Sequence, residues 1–584
     1  MRMKKLPIGI SDFKDVISNG YYYVDKTLFI KEIIDSDHKI LLLPRPRRFG
    51  KTLNMSMLRY FYDCCPTAWA PESNLLPPIP AVENQPRNTY EHLFASLAIN
   101  EAGQEYLDKM GKYPVIFLSL RDIKDSNWES CLDSLKKLIQ EEYSRHYYLL
   151  KSQKLMPHEL EYFQKIISLT GNTSDYTHSL KNLLIFLTRF YNERAVILID
   201  EYDAPVHAGF TQGYYEEIIN FIRIFLGGGL KDTDQYLEKG VVTGIMRIAK
   251  ESIFSDLNNL GVYTVLAEDF CDFFGFTEPE VKKMLEDFQV LDMIEQVQLW
   301  YNGYCFGGRV IYNPWSIINF LRSKGKEFNP YWINTSDNKI VDVLLTKRGL
   351  ELKRELEQLV RGETIEKAIE ENIILKDIST DEDSLWSFLL MGGYLKQTTK
   401  RRDATAGRIF YNLSVPNEEV KTTYTRIIRR YFSSKIENEK LEVMLQALIE
   451  GDILLFEKML KLIVLAVFSY HDFGGEPEKV YHALVAGLLI WITNTHEVKS
   501  NRESGYGRYD IMIIPKDPAK IGYVIEFKSV DKEANETMEN AQEAALAQIE
   551  AKKYEIELKE RGITRIKKLA IAFLGKDVSV KSQD

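Results

Sequence analysis

Cysteine is scarce in this chain: five residues out of 584, odd in number, scattered and without a CxxC pair. Such usage excludes a disulfide framework and a thiolate zinc cage, and it implies a reducing compartment. The nine histidines form no HxxxH pair and no His/Cys cluster, which sets zinc hydrolase chemistry aside. No Gly-x-Ser-x-Gly segment or Ser/His/Asp constellation points to nucleophilic hydrolysis. Long apolar runs are missing as well: the longest, residues 462–468 and 483–492, fall short of a bilayer's thickness. The basic start Met1-Arg2-Met3-Lys4-Lys5 leads into no apolar core of the kind a signal peptide needs. Nor is there an excess of positive charge. Lys and Arg total 75 against 84 Asp and Glu, a net charge of −9, so any nucleic-acid contact must come from local basic patches. A cytoplasmic protein without membrane attachment is expected.

What is present begins with size. A chain of 584 residues exceeds what one hydrophobic core supports, so several domains are expected. Near the start, Ile40-Leu41-Leu42-Leu43 reads as a short buried strand that breaks at Pro44. A basic loop, Arg45-Pro46-Arg47-Arg48-Phe49, runs into Gly50-Lys51-Thr52, and the following residues have helical apolar spacing. Strand, loop, Gly-Lys-Thr and helix is the context of a phosphate-binding P-loop. Backbone N–H groups from Arg47, Arg48, Phe49 and Gly50 and the helix N-terminus would cradle a polyphosphate. Lys51 would reach the terminal phosphates and the Thr52 hydroxyl would hold Mg²⁺. The first glycine of the usual pattern is replaced by Arg45.

A later strand, Ala195-Val196-Ile197-Leu198-Ile199, ends in Asp200-Glu201-Tyr202-Asp203. An apolar run ending in a carboxylate pair is the Walker B arrangement: Asp200 would hold Mg²⁺ beside Thr52, and Glu201 would orient the attacking water. A buried strand with a polar end would look the same on its own; the two motifs in this order favour a nucleotide site. Further strands are expected at 114–120, 240–246 and 261–266, making an open, mostly parallel sheet covered by helices. Arg247, just past a strand end, and Thr243 are candidates for sensing a terminal phosphate, and Arg247 could equally be an ordinary surface arginine. Gly227-Gly228-Gly229 reads as a turn.

The motifs Leu6-Pro7-Ile8-Gly9, Tyr23-Val24-Asp25-Lys26-Thr27, Arg45 through Thr52 and Leu198 through Asp203 together resemble the bacterial and archaeal AAA-ATPase-like family. The resemblance implies an ATP-binding P-loop NTPase that hydrolyses ATP, often followed by a nuclease-like domain. Residues 1–270 form the expected AAA-like core and 271–375 a helical lid or extension. In the lid, the aromatic and glycine-rich Trp300–Gly308 and Tyr312-Asn313-Pro314-Trp315 could stack on bases or pack a core. Residues 376–437 connect onward, and the basic triplet Lys400-Arg401-Arg402 there reads as a turn tip.

The last domain, 438–584, opens with helical segments and continues into a hairpin. Arg508–Pro515 and Gly522–Lys528 read as paired strands, and period two puts Glu526 and Lys528 on one face beside Asp510. Asp…Glu-x-Lys on paired strands is the arrangement of a metal-dependent phosphodiesterase: two carboxylates bind Mg²⁺ or Mn²⁺, and the lysine positions or deprotonates water. A hairpin with exposed charges is the competing reading. The segment resembles the PD-(D/E)XK superfamily, whose pattern falls on Asp510, Glu526 and Lys528. That resemblance implies a restriction-endonuclease-like α/β domain, with Glu478 as a further metal ligand and Gln548 as an auxiliary contact. The expected protein is therefore α/β throughout, an ATP-dependent nuclease on DNA or RNA. The alternative is a nucleotide-switched binding regulator with an inactive nuclease-like domain. Monomer or homo-oligomer stays open.

Overall fold

Apolar runs of the first half of the chain become the strands of one sheet in the computed structural model. The structure describes residues 4–64, 90–248, 259–332, 350–373, 375–379, 381–403, 408–433, 437–467, 477–492, 494–500, 503–504, 507–530 and 536–584. In chain order the strands are β1 (Ile40–Pro44), β2 (Val115–Ser119), β3 (Ala195–Asp200) and β4 (Leu237–Gly244). A two-residue β5 (Arg247–Ile248) follows, and β6 (Leu260–Val262) completes the sheet. The order is β2-β3-β4-β1-β6, with every pair parallel. The runs lack polar alternation because helices such as Lys51–Tyr62, Trp128–Arg145 and Ser179–Tyr191 pack on the sheet and bury β1 and β3 completely. All five strands point the same way, so the loops after β1, β2, β3 and β4 gather along one edge, the place where such sheets bind ligands. β2 is an outer strand; its Phe117 N–H is capped by the buried carboxylate of Glu142 at 3.2 Å.

Three expectations are corrected in this part of the chain. Gly227-Gly228-Gly229 is the end of the helix Tyr215–Leu230 rather than a turn. Gly229 lies against Leu180, where a side chain would come within 2.5 Å, so the glycine serves close helix packing. The lid is not purely helical. Its helices Glu278–Asp287, Ile294–Tyr301 and Pro314–Arg322 accompany a small antiparallel sheet of β7 (Phe276–Thr277), β8 (Tyr304–Phe306) and β9 (Arg309–Tyr312). The aromatics Tyr301, Tyr312 and Phe320 are buried together in its core, which is the packing reading of that stretch. Finally, β10 (Ile365–Ala368) and the short β11 (Asn372–Ile373) precede β12 (Lys396–Arg402) and β13 (Ile409–Ser414). Lys400, Arg401 and Arg402 thus lie in the outer strand of the sheet β10-β13-β12, not at a turn tip. Charged side chains there suit an edge that must not recruit another strand.

The chain divides into two compact units, residues 1–336 with 366–420 and residues 337–365 with 421–584. In the second unit, β14 (His496–Ser500) is followed by the short pair β15 (Glu503–Ser504) and β16 (Gly507–Arg508), then β17 (Ile511–Pro515) and β18 (Gly522–Ser529). β19 (Ile566–Leu574) and β20 (Asp577–Gln583) end the chain. The sheet order is β14-β17-β18-β19-β20, with β18 and β19 parallel and the other neighbours antiparallel. One face packs Met512, Ile514 and Val524 on the helix Met538–Lys552. On the other, the Tyr523 hydroxyl donates to the Leu448 carbonyl, and the Phe527 ring meets His482 of the helix Pro477–Leu488.

Candidate functional site

The loop after β1 is shaped by two left-handed residues. Gly50, the N-cap of the helix Lys51–Tyr62, has φ +84°, and Arg48 has φ +67°. Nothing lies within 4 Å of where a Gly50 side chain would be, so it is backbone conformation that calls for glycine there. Lys51 is buried, and its Nζ donates to the carbonyls of Arg45 and Pro46, both at 3.0 Å. Burial holds its pKa below the usual lysine range against the pull of Glu201, Asp200 and Asp203. The loop therefore curls around its own ammonium group, which is the geometry a bound anion would share or replace.

Arg45 answers the missing glycine. Its side chain is 0% exposed and turns away from the loop interior. The guanidinium donates to the carbonyls of Pro44 and Tyr263, and to that of Phe270 at 3.2 Å. The rings of Phe274 and Phe306 lie 5.0 and 5.6 Å from it. Burial lowers its pKa to about 9. Where the usual loop needs glycine for space, this one uses a buried side chain as a staple.

At the end of β3, Asp200 accepts from the Thr52 hydroxyl (2.8 Å, Oδ2) and the Thr243 hydroxyl (2.7 Å, Oδ1). Loop, β3 and β4 thus meet on one buried carboxylate. Glu201 has φ +51° and its N–H donates to Thr243 Oγ1 at 3.4 Å. Burial raises the Glu201 pKa, while Lys51 opposes the rise. Tyr202 and Asp203 face the other way. The Asp203 carboxylate accepts from the N–H of Ile245 at 2.7 Å, and the Tyr202 hydroxyl donates to the Met246 carbonyl while accepting from the Ile248 N–H. Asp203, whose charge also bears on Lys51, and Tyr202 clamp the segment that carries Arg247. Arg247 sits in β5, in a separate ladder with β11, and its charge bears on the Tyr202 phenol.

Residues that follow the first sheet in the chain grip the loop from outside. Phe49 packs edge-on against Tyr304 at 4.9 Å, and the Arg48 guanidinium lies 4.4 Å from the Trp315 ring centre. The Trp332 indole donates to the Arg47 carbonyl at 3.0 Å. The backbone N–H of the same Trp332 donates to Glu419 at 2.6 Å, and Glu419 also accepts from the Ser316 hydroxyl at 2.8 Å. Burial raises the Glu419 pKa to about 8. No sequence signal joins Trp332, Ser316 and Glu419, which are far apart in the chain.

In the second unit, the register pairing Ile511 with Ile525 carries Asp510 to the level of Glu526. Asp510 Oδ2 accepts from the Phe527 N–H at 2.8 Å. Glu526 is buried at 3% exposure and accepts from the Gln548 amide of the helix Met538–Lys552. Lys528 is half-buried, two residues farther along β18 on the Glu526 side. His482, which the sequence did not suggest, has Nε2 3.0 Å from the Asp510 carbonyl and 2.8 Å from the Ser500 hydroxyl. Glu478 belongs to the same helix as His482, and its side chain lies outside the described residues.

Both places offer hard oxygen donors, hydroxyl with carboxylate in the first and two carboxylates in the second, which suits Mg²⁺. Among the described residues no three His, Cys, Asp or Glu side chains form a metal cage, so an ion at either place would keep several waters. Among the described residues, too, no helix is long and apolar enough to cross a membrane.

Comparison with known proteins finds family matches in two parts of the chain. Residues 7–68 and 82–254 match the AAA-ATPase-like family, described as a predicted AAA-ATPase, and residues 476–583 match the PD-(D/E)XK nuclease superfamily. The chain is also similar to an uncharacterised protein in the vnfD 5' region of Azotobacter chroococcum mcd 1. The two are 27% identical over 549 residues, 91% of this chain and 90% of that one. No solved structure matches.

Proposed function

We propose that this chain, with an AAA-ATPase-like domain at its N-terminus and a PD-(D/E)XK nuclease superfamily domain at its C-terminus, is an ATPase whose nucleotide state controls a nuclease acting on DNA or RNA. The observation that carries the reading is the Thr52–Asp200–Thr243 chain of hydrogen bonds, which joins a Gly-Lys-Thr loop to the acid at a neighbouring strand's end. In this reading Arg47, Arg48, Phe49 and Gly50 offer backbone N–H groups to the phosphates of ATP, and Lys51 exchanges its loop carbonyls for terminal phosphate oxygens. Thr52 and Asp200 hold Mg²⁺. Glu201, a carboxyl raised by burial, orients and accepts a proton from the attacking water. Arg247 is the cation for the terminal phosphate on the β4 side.

In the second unit, Asp510 and Glu526 hold Mg²⁺ or Mn²⁺, with Glu478 as a further ligand. Lys528 positions or deprotonates the water, and Gln548 fixes the Glu526 carboxylate. When bound, the ion at each place supplies charge neutralisation at the phosphate and a lowered pKa for water.

The test uses the full chain with DNA or RNA, Mg²⁺ or Mn²⁺, and ATP. Cleavage is expected, stopped by EDTA and by Lys528→Ala or Asp510→Ala while nucleic-acid binding persists. Salt-sensitive nucleic-acid binding without any cleavage would select the alternative, a nucleotide-switched regulator with an inactive nuclease-like domain. Equal ATP binding by wild type and Lys51→Ala would remove the nucleotide site itself.

A further inference from the structure

β2 and β3 are parallel neighbours, and their last shared hydrogen bond runs from the Leu120 N–H to the Asp200 carbonyl at 3.0 Å. The next residue on the β2 side is Arg121, so it leaves the sheet at the same edge as Glu201. β2 is the outer strand, anchored by Glu142 on its free side. Arg121 pairs with the adjacent Asp122 at 3.6 Å, both side chains open to solvent (47% and 89% exposed), a weak pairing.

A second arginine faces the same space. Arg48 is held on the Trp315 ring in a left-handed backbone conformation. Burial lowers its pKa first, and the charge of Arg121 lowers it further, ahead of that of Arg47, while Glu201 alone pulls the other way. Guanidinium groups delivered from two different loops, after β1 and after β2, therefore bear on one another at the open edge of the sheet, with Glu201 acting on Arg48. Like charges are gathered this way where an anion is to be received, and a planar guanidinium matches phosphate oxygens in bidentate fashion.

We propose that Arg121 contacts the terminal phosphate of the bound nucleotide, acting with Arg48, so that the outer strand β2 contributes to telling triphosphate from diphosphate. This rests on the nucleotide-site reading above. Arg121 supplies donors from the β2 side, Lys51 from beneath the loop, and Glu201 between them faces the water. Because Arg121 is exposed, its replacement leaves the fold intact.

The experiment measures MgATP and MgADP affinity by calorimetry for the full-length wild type, Arg121→Gln and Arg121→Lys. Arg121→Gln should lose about tenfold on MgATP, the value of one charge-assisted hydrogen bond, with MgADP unchanged within about twofold. Arg121→Lys should recover part of the loss. A variant that binds MgATP as wild type does, or that loses both nucleotides equally, overturns the assignment of Arg121 alone. A wild type that binds neither nucleotide overturns the nucleotide reading, and this inference with it.

Discussion

Glu419 shows how much a single buried carboxyl can govern. It lies in the first turn of the helix Glu418–Ser433, fully enclosed, and holds Trp332, whose indole in turn holds the loop at Arg47. Because the folded protein keeps its proton up to about pH 8 while the unfolded chain releases it near the ordinary value of 4.5, the folded state binds more protons between those limits. Stability therefore falls as pH rises through that window, by up to about 1.4 kcal/mol per pH unit from this group. Thermal midpoints followed by tryptophan fluorescence should drop between pH 5 and pH 9 in the wild type, and less steeply in Glu419→Gln. A parallel drop in both proteins would mean that Glu419 does not carry its share. Residues of this kind leave no trace in a linear reading: Ser316, Trp332 and Glu419 each look ordinary where they stand.

At the scale of an element, the loop between β1 and its helix was legible in outline. The Gly50-Lys51-Thr52 signature follows from local rules. The departure at Arg45 was visible as well, but what replaces glycine was not. Only the fold brings the carbonyls of Tyr263 and Phe270 and the rings of Phe274 and Phe306 around that guanidinium. It follows that restoring the commoner motif should harm this protein. Arg45→Gly would orphan buried carbonyls and open a cavity, at a cost on the order of 3 kcal/mol or more. A drop in the first unfolding midpoint and weaker ATP binding are expected. A variant as stable as wild type would show that the side chain is dispensable. Two of the corrected segments depart from local rules for related reasons. Gly227-Gly228-Gly229 carries turn chemistry but is drawn into a helix by packing against Leu180. Lys400-Arg401-Arg402 looks like a tip but is held in a strand by its pairing with β13.

For the whole molecule, the proposal joins two chemistries in one chain, and the measurement must separate them. With wild type, ATP should change the rate of nucleic-acid cleavage. With Lys51→Ala the rate should be the same with and without ATP, while Asp510→Ala should still hydrolyse ATP. Loss of both activities in either variant would argue against two separable sites.

The sequence by itself determined the α/β class, the order along the chain of the strands in the first sheet, the Gly-Lys-Thr loop, the acids ending β3, and the hairpin that carries Glu526 and Lys528 on one face. These rest on short-range rules: apolar runs, period two, and residue types at strand ends. Tertiary structure decided the rest. It chose Asp200 as the point where Thr52 and Thr243 meet, turned Asp203 and Tyr202 toward β5, and brought Trp332 to the loop. It also set Asp510 level with Glu526 through the register of β17 on β18. Those outcomes depend on which strands become neighbours and on which side chains burial forces to find partners, and neither is written in any local stretch of the chain.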